Sequence, residues 1–310
     1  MQYQLHGRIP IPDAEPPIIN AGNFQIEPLF LKMLSCTRYP PSELLQHYVV
    51  QYWTTTVEQT GDLLVIPDAF PELLFNYDTH FSTEVEGKTF NGMSGGLVGQ
   101  FARSAIFNAT RGGKTLWVKL QPWTLSLLFD TPAIEMNNRV VEAGELEDRE
   151  FVQLVRTITS LDSVEKAIRR IEEFLIKRIY RVNPRKDLVS SVVQCIFRHK
   201  GRITIDALAA AHGVGSRHLQ YQFRERIGFS PSYYRKEIRV KGISLLLARE
   251  NLQSNVSLLA YDWGYTDQSH LNRDFKSIVQ MTPFQYRKKI LGEHISLMDL
   301  EVNNGDFYKR

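Results

Sequence analysis

One pattern occurs twice in this chain, about fifty residues apart, and that repetition leaves its C-terminal third little choice of architecture. The later copy, Asn255 to Lys289, reads NVSLLAYDWGYTDQSHLNRDFKSIVQMTPFQYRKK. Val256, Leu259 and Ala260 stand at helical spacing, with Asn255 before them as a cap. Gly264 falls where the helix must reverse, because glycine takes positive φ without steric cost. Asp267 caps a second helix, which turns Leu271 and Phe275 to one face and leaves Gln268, Ser269, His270, Asn272 and Arg273 outside. Thr282-Pro283 opens a third, carrying Phe284, Tyr286, Arg287 and Lys288.

The earlier copy, Leu208 to Lys236, reads LAAAHGVGSRHLQYQFRERIGFSPSYYRK. Leu208 and Ala209 fall 51 places before Leu259 and Ala260. Leu219, Phe223, Pro231, Tyr234 and Arg235 fall 52 places before Leu271, Phe275, Pro283, Tyr286 and Arg287, the extra residue entering in the turn. Between the copies, the pattern predicts one long helix over Pro231 to Arg249, capped by Ser230, with Tyr234, Ile238, Leu245 and Leu246 inward. Gly242 inside it costs roughly 1 kcal/mol relative to alanine, too little to break a packed helix. A further helix is expected from Asp187 to Lys200, with Leu188, Val192, Cys195 and Ile196 as its inner face. Each copy is thus a helix, a tight turn and a helix with a polar outer face, the geometry that enters a DNA groove.

Two such units on one connector resemble the DNA-binding domain of the AraC/XylS family of bacterial transcription regulators. The resemblance rests on LAAAHGV, FRERIGFSP, LLLARE, LLAYDWGYTDQSHLNRDFK and TPFQYR, and covers about a third of the chain. Gln280 departs from it where glycine is usual, Ile243 where alanine is common, and Gly215 where serine is usual, which makes Ser216 the expected cap of the first recognition helix. With Leu219 and Phe223 inward, Arg217, Gln220 and Tyr221 are directed at the groove, positions that make base contacts in the family. The matching set in the second unit is Gln268, Ser269, His270 and Arg273. Arginine holds guanine, and glutamine adenine, through paired hydrogen bonds. Arg224, Arg226, Arg235, Lys276, Arg287 and Lys288 are placed to hold phosphates, which fix register without reading sequence.

Charge supports a polyanionic partner. From Arg185 to Leu291 there are 18 Lys/Arg against 8 Asp/Glu, whereas the remainder holds 19 against 26. The partner expected is double-stranded DNA, held with a strong salt dependence. The resemblance adds RNA polymerase, a small-molecule effector and a second copy of the chain as partners, and transcription activation as the function.

The first 27 residues, with prolines at 10, 12, 16 and 17, read as an extended arm. From 28 to 140 the runs VVQYWTTTV, DLLVIP, PELLFNY, HFSTEV, SAIFNAT and TLWVKL predict a β-rich regulatory domain, a sandwich or barrel. The family resemblance favours a cupin-like barrel, and YVVQYW, IPDAFPELLFN and WVKLQPW resemble the N-terminal domain of one AraC-type subgroup. The fold class is therefore α+β. An effector pocket is expected among Tyr52, Trp53, Phe75, Trp117 and Trp123, with Glu72, Asn76 or Arg111 as polar anchors; such aromatics equally build a core. Residues 141–183 form a helical connector. Phe151, Leu154, Val155 and Ile158 make one stripe in it, and Val164, Ile168, Ile171 and Leu175 a second, packed on the β domain or paired across a dimer. Asn183-Pro184 ends it, the DNA-binding domain runs from 184 to 291, and 292–310 is a tail.

No enzyme activity is expected. Gly92-Met93-Ser94-Gly95-Gly96 satisfies the G-x-S-x-G pattern, but no helix pattern follows it, and a glycine turn is the better account. An enzyme of serine-hydrolase type with an appended DNA-binding domain, and an architectural binder without sequence preference, stand as alternatives. Cys36 and Cys195 make neither a disulfide framework nor a metal pattern, and no cofactor or metal is expected. The start of the sequence lacks a signal peptide's basic and apolar blocks and no run is long enough to span a membrane, so the expected location is the cytoplasm.

Overall fold

The computed structural model describes residues 34–77, 81–85, 88–91, 93–181, 188–248, 256–292 and 296–297. The N-terminal arm, the Asn183-Pro184 boundary, Asn255 and most of the C-terminal tail lie outside them.

The first half folds into two sheets. Strands β1 (Leu34–Tyr39), β2 (Val49–Val57), β3 (Gly61–Val65), β4 (Glu72–Asn76), β5 (Phe81–Val85), β6 (Lys88–Asn91), β7 (Gly95–Val98), β8 (Ala105–Ala109), β9 (Lys114–Leu120) and β10 (Val140–Glu142) are joined late in the chain by β11 (Ser296–Leu297). One sheet runs β1-β2-β9-β4-β7-β10 and the other β11-β3-β8-β5-β6. All pairings are antiparallel except β11 with β3. The larger sheet is covered on both faces, so successive side chains of β2 and β9 are buried almost throughout, polar Gln51, Thr55, Thr115 and Lys119 included. Trp53, Val57, Leu74 and Trp117 point at the smaller sheet and meet Leu63 and Phe107, while Tyr52, Leu73, Phe75, Leu116 and Val118 point to the helical side.

Helices α1 (Leu125–Phe129) and α2 (Ala133–Met136) follow β9; α3 (Arg149–Thr159) and α4 (Val164–Arg181) cover the outer face of the larger sheet. Both stripes anticipated in the connector are spent there. Phe151, Leu154, Val155, Ile158, Ile168, Ile171 and Leu175 are buried in one cluster with the strands, Val164 packing at its edge. Asp148 starts α3 by accepting from the Phe151 amide at 3.0 Å and holds Arg178 of α4 through both carboxylate oxygens.

One expectation fails outright. Gly95–Val98 is not a glycine turn but strand β7, lodged between β4 and β10. Its glycines are there for close approach: a methyl group on Gly95 would lie 2.6 Å from the Leu74 carbonyl, and one on Gly96 2.1 Å from that of Val141. Ser94 precedes this strand and is followed by no helix, so the nucleophile-elbow geometry is absent.

The second half is helical: α5 (Leu188–Arg198), α6 (Ile205–Ala211), α7 (Ser216–Arg226), α8 (Pro231–Leu247), α9 (Val256–Asp262), α10 (Gln268–Val279) and α11 (Pro283–Gly292). Val189, Val192, Val193, Ile196 and Phe197 form the buried face of α5, rotated from the expected one so that Leu188 and Cys195 are only half-buried. On α8 the buried residues near the end are Ile243 and Leu247; Leu245 and Leu246, expected inside, are half-exposed.

The two halves share their cores. The α5–α8 cluster includes Val50, Phe70 and Trp123 of the β domain, with Phe70 stacked on Phe197 at 5.8 Å between centroids. The α8–α11 cluster includes Leu64 and Ile66. Charged groups are buried along the same seam. Lys119 bonds Asp68 and lies 3.7 Å from Glu72, and α8 contributes Glu237 and Lys241. Burial and the neighbouring Asp68 push the Glu237 carboxyl well above the usual carboxylate range, and burial pushes Glu72 up to about 7 against the pull of Lys119.

Candidate nucleic-acid interface

Each recognition helix is anchored by its two apolar residues. Leu219 and Phe223 of α7 and Leu271 and Phe275 of α10 are all 0% exposed. Phe223 meets Tyr234 edge-on at 6.0 Å and Phe275 meets Tyr286 at 5.5 Å, the same contact in both copies.

The starts of the helices differ. Asp267 caps α10, accepting from the His270 amide at 2.8 Å; that bond and the Thr266 hydroxyl hold its carboxyl below the usual range. At α7 the cap is Gly215, without a side-chain bond, and Ser216 is the first helical residue instead. Its hydroxyl donates to Asp206 of α6 at 3.2 Å, tying the two helices of the first unit across their turn. Gly213 and Gly264, at φ +64° and +74°, make the two turns. Thr282 and Gln285 form a reciprocal capping box at the start of α11.

With the anchors inward, Arg217, Gln220 and Tyr221 stand exposed on α7, Tyr221 at 59%, an unusual surface position for an aromatic ring. Gln268, Ser269 and Arg273 stand exposed on α10. His270 is half-exposed, 3.8 Å from Asp274 and edge-on to Tyr265.

The expected phosphate holders divide. Arg224, Lys276 and Lys288 are exposed. Arg226 is half-buried and lines a groove with Ser126, Asp130 and Arg178 of the first half. Arg235 is half-buried, and burial together with Arg239 lowers its pKa. Arg287 donates at 3.3 Å to the Leu247 carbonyl, the last of α8, where a cation also suits the helix dipole. That bond spans forty residues and has no local signal in the sequence.

Two further basic residues, which the sequence reading passed over, fix α10 to the connector. Arg239 donates to Asp274 at 3.2 Å and lies over the Tyr265 ring; Lys236 donates to Ser277 at 3.2 Å.

The aromatic residues expected to line an effector pocket do not converge. Tyr52 and Phe75 lie in the cluster under α3 and α4, Trp53 and Trp117 stack at 5.3 Å between the sheets, and Trp123 belongs to the α5–α8 core. Tyr52, Phe75 and Trp123 are spent in separate cores, and of the five only Trp53 and Trp117 share a wall. Asn76 is buried, donating to the Met93 carbonyl, and Arg111 is exposed on a turn. A cavity does lie beside Trp53 and Trp117, with Phe107, Glu72 and Lys119 on its walls, but its water-accessible volume is only about 50 Å³.

Comparison with known proteins agrees with this geometry. Residues 208–289 match the family described as "Helix-turn-helix domain", and residues 37–142 match the domain of unknown function DUF6597. An uncharacterized HTH-type transcriptional regulator of Haemophilus influenzae is 23% identical over 164 residues, 53% of this chain and 54% of that one. The HTH-type transcriptional regulator MtrA of Neisseria gonorrhoeae is 29% identical over 85 residues, 27% of this chain and 28% of that one. The chain thus spans about half the length of the first relative and less than a third of the second. Among solved structures, ToxT of Vibrio cholerae is 12% identical, covering 84% of this chain and 100% of that one at a TM-score of 0.43. Over residues 208–289 the chain carries a helix-turn-helix domain, placed behind a β-rich domain.

Proposed function

We propose that the whole chain is a sequence-specific DNA-binding transcription regulator. One observation carries this reading: both recognition helices bury their two apolar anchors completely and leave an exposed, hydrogen-bonding face. Arg217, Gln220 and Tyr221 on α7, with Gln268, Ser269 and Arg273 on α10, are the groups that reach base edges; His270 joins them from beside Asp274. Arg224, Lys276 and Lys288 hold phosphates. Arg226, Arg235 and Arg287 serve the protein's own packing. Joined by α8, the two helices would meet successive major-groove faces about one turn, roughly 34 Å, apart.

The β domain has a regulatory part in this reading, through a small effector, self-association or contact with RNA polymerase. An effector larger than a few water molecules requires the cavity beside Trp53 to open. The serine-hydrolase alternative finds no support at Ser94, which lacks an elbow. The expected site of action is the cytoplasm, and no described helix is long and apolar enough to cross a membrane.

Repeated selection of bound duplexes from a randomised pool tests the reading. It predicts enrichment of a defined sequence that unselected duplex does not displace at equal concentration. Equal competition by random DNA makes the protein an architectural binder instead.

A further inference from the structure

The last carbonyls of a helix have no partner within it and must find donors elsewhere. On both recognition helices some of these donors come from the β domain. At the end of α10, Ser104 gives its amide to the Ile278 carbonyl at 2.8 Å and its hydroxyl to that of Val279 at 3.0 Å. At the end of α7, Asn137 donates from Nδ2 to the Ile227 carbonyl at 3.0 Å, and Ser126 from Oγ to that of Arg226 at 3.4 Å. Gly228, at φ +82°, is what lets Asn137 so close: a methyl group there would meet its Nδ2 at 2.2 Å.

These two grips belong to one piece of structure. Residues 99–104 and 137–139 are tied by bonds from the Gly99 amide to the Arg139 carbonyl at 2.9 Å, from the Asn138 amide to that of Gln100 at 2.8 Å, and from the Ala102 amide to Asn138 Oδ1 at 2.6 Å. The connector joins in, with Tyr233 donating its hydroxyl to the Ala102 carbonyl at 2.6 Å. Gln280 closes the arrangement. It ends α10 in the left-handed region, φ +65°, where glycine sits without strain, and its side chain donates to the Ser104 carbonyl at 2.9 Å. A residue that fits its backbone poorly is held by the contact its side chain makes.

We infer that residues 99–104 and 137–139 form a rigid bracket that sets the position of the two recognition helices relative to each other. Gln280 and Asn137 are its two clasps. The bracket grips the C-terminal ends and leaves Arg217, Gln220, Gln268, Ser269 and Arg273 uncovered, so the docked state is the one that reads DNA. A change in the β domain reaches both helices through this piece, as a change in their spacing. The inference rests on the DNA-binding reading above.

The test uses the full chain and the randomised duplex pool, comparing wild type with Gln280→Ala, Gln280→Gly and Asn137→Ala. Wild type should enrich two half-sites at one fixed separation. Each variant should enrich the same half-sites, with its preference for that separation over one lengthened or shortened by a few base pairs reduced by about tenfold. Thermal unfolding accompanies the selection, and Gln280→Gly should unfold at or above the wild-type temperature, because it relieves the left-handed glutamine. Unchanged spacing preference in Gln280→Ala and Asn137→Ala overturns the bracket while leaving DNA reading intact. Loss in Gln280→Gly but not in Gln280→Ala assigns the effect to backbone freedom and also overturns it. Failure of wild type to enrich any paired half-sites removes the DNA-binding reading itself, and the bracket with it.

Discussion

Gly242 lies against the face of Trp263: a methyl group on it would fall 1.9 Å from Cη2 of that ring. The Trp263 ring, which follows α9, therefore packs directly on the backbone of α8, and the glycine inside a long helix is a packing requirement. The connector's hold on the second unit depends on this contact together with Arg239–Asp274 and Lys236–Ser277.

Gly242→Ala would ordinarily strengthen a helix by about 1 kcal/mol. Here the overlap with Trp263 should outweigh that gain and destabilise the chain by about 1–3 kcal/mol, as overpacking does. Chemical denaturation of the variant beside wild type measures it; a rise in stability contradicts the contact.

Arg217→Ala and Arg273→Ala should each cost about 1–3 kcal/mol on the selected duplex and relax preference at one or two base pairs. Lys288→Ala should weaken all duplexes alike and reduce the slope of log affinity against log salt by about 0.9. Fluorescence anisotropy on selected and random duplexes, at several salt concentrations, separates the two behaviours.

Arg287 makes a different prediction from its neighbour Lys288. Because it donates to the Leu247 carbonyl, Arg287→Ala should lower stability by about 1.5–3 kcal/mol, the range for a hydrogen bond from a charged group, while leaving the salt slope unchanged. A lowered slope with unchanged stability would return Arg287 to the phosphates.

The buried charges between the domains give stability a pH dependence. Glu237 is pushed well above the usual carboxylate range and Glu72 to about 7, so the folded chain keeps protons that the unfolded chain releases. Their contribution is complete below the unfolded carboxylate pKa and is lost as pH rises through the folded values. Asp68, which Lys119 and Lys241 hold below its ordinary value despite burial, acts in the opposite sense, but only in the acid range. The melting temperature should therefore fall between about pH 5 and pH 8. Glu237→Gln keeps the shape, removes the titration and should flatten the fall; a melting temperature that climbs through this window contradicts the assignment.

Much of this fold is legible in the chain because its signals are local. Caps at Ser230 and Asp267, the turn at Gly264, and the Leu219/Phe223 and Leu271/Phe275 pairs lie within a few residues of what they organise. The runs of β2, β4 and β9 likewise announce themselves by composition. What escapes is set by contacts distant in sequence. Gly95 and Gly96 have no side chains to display a strand period, and their reason for being glycine is the Leu74 and Val141 backbone. Helix α7 begins at Ser216, but this ordinary capping residue does not cap it, because its hydroxyl bonds Asp206 instead. Tyr52, Trp53, Phe75, Trp117 and Trp123 look like a pocket as a list of aromatics, yet strand alternation and the docking of α5 send them into three different clusters.

Cleavage of a bound duplex by an iron chelate attached through cysteine tests the central claim most directly, with His218→Cys and Thr266→Cys prepared in turn in a chain whose own Cys36 and Cys195 are replaced by alanine. The outward faces of α7 and α10 lying on one duplex predicts two cleavage centres on the same side of the DNA, separated by about one helical turn, 10–10.5 base pairs. Cleavage from only one of the two positions, or two centres on opposite sides of the duplex, would contradict it.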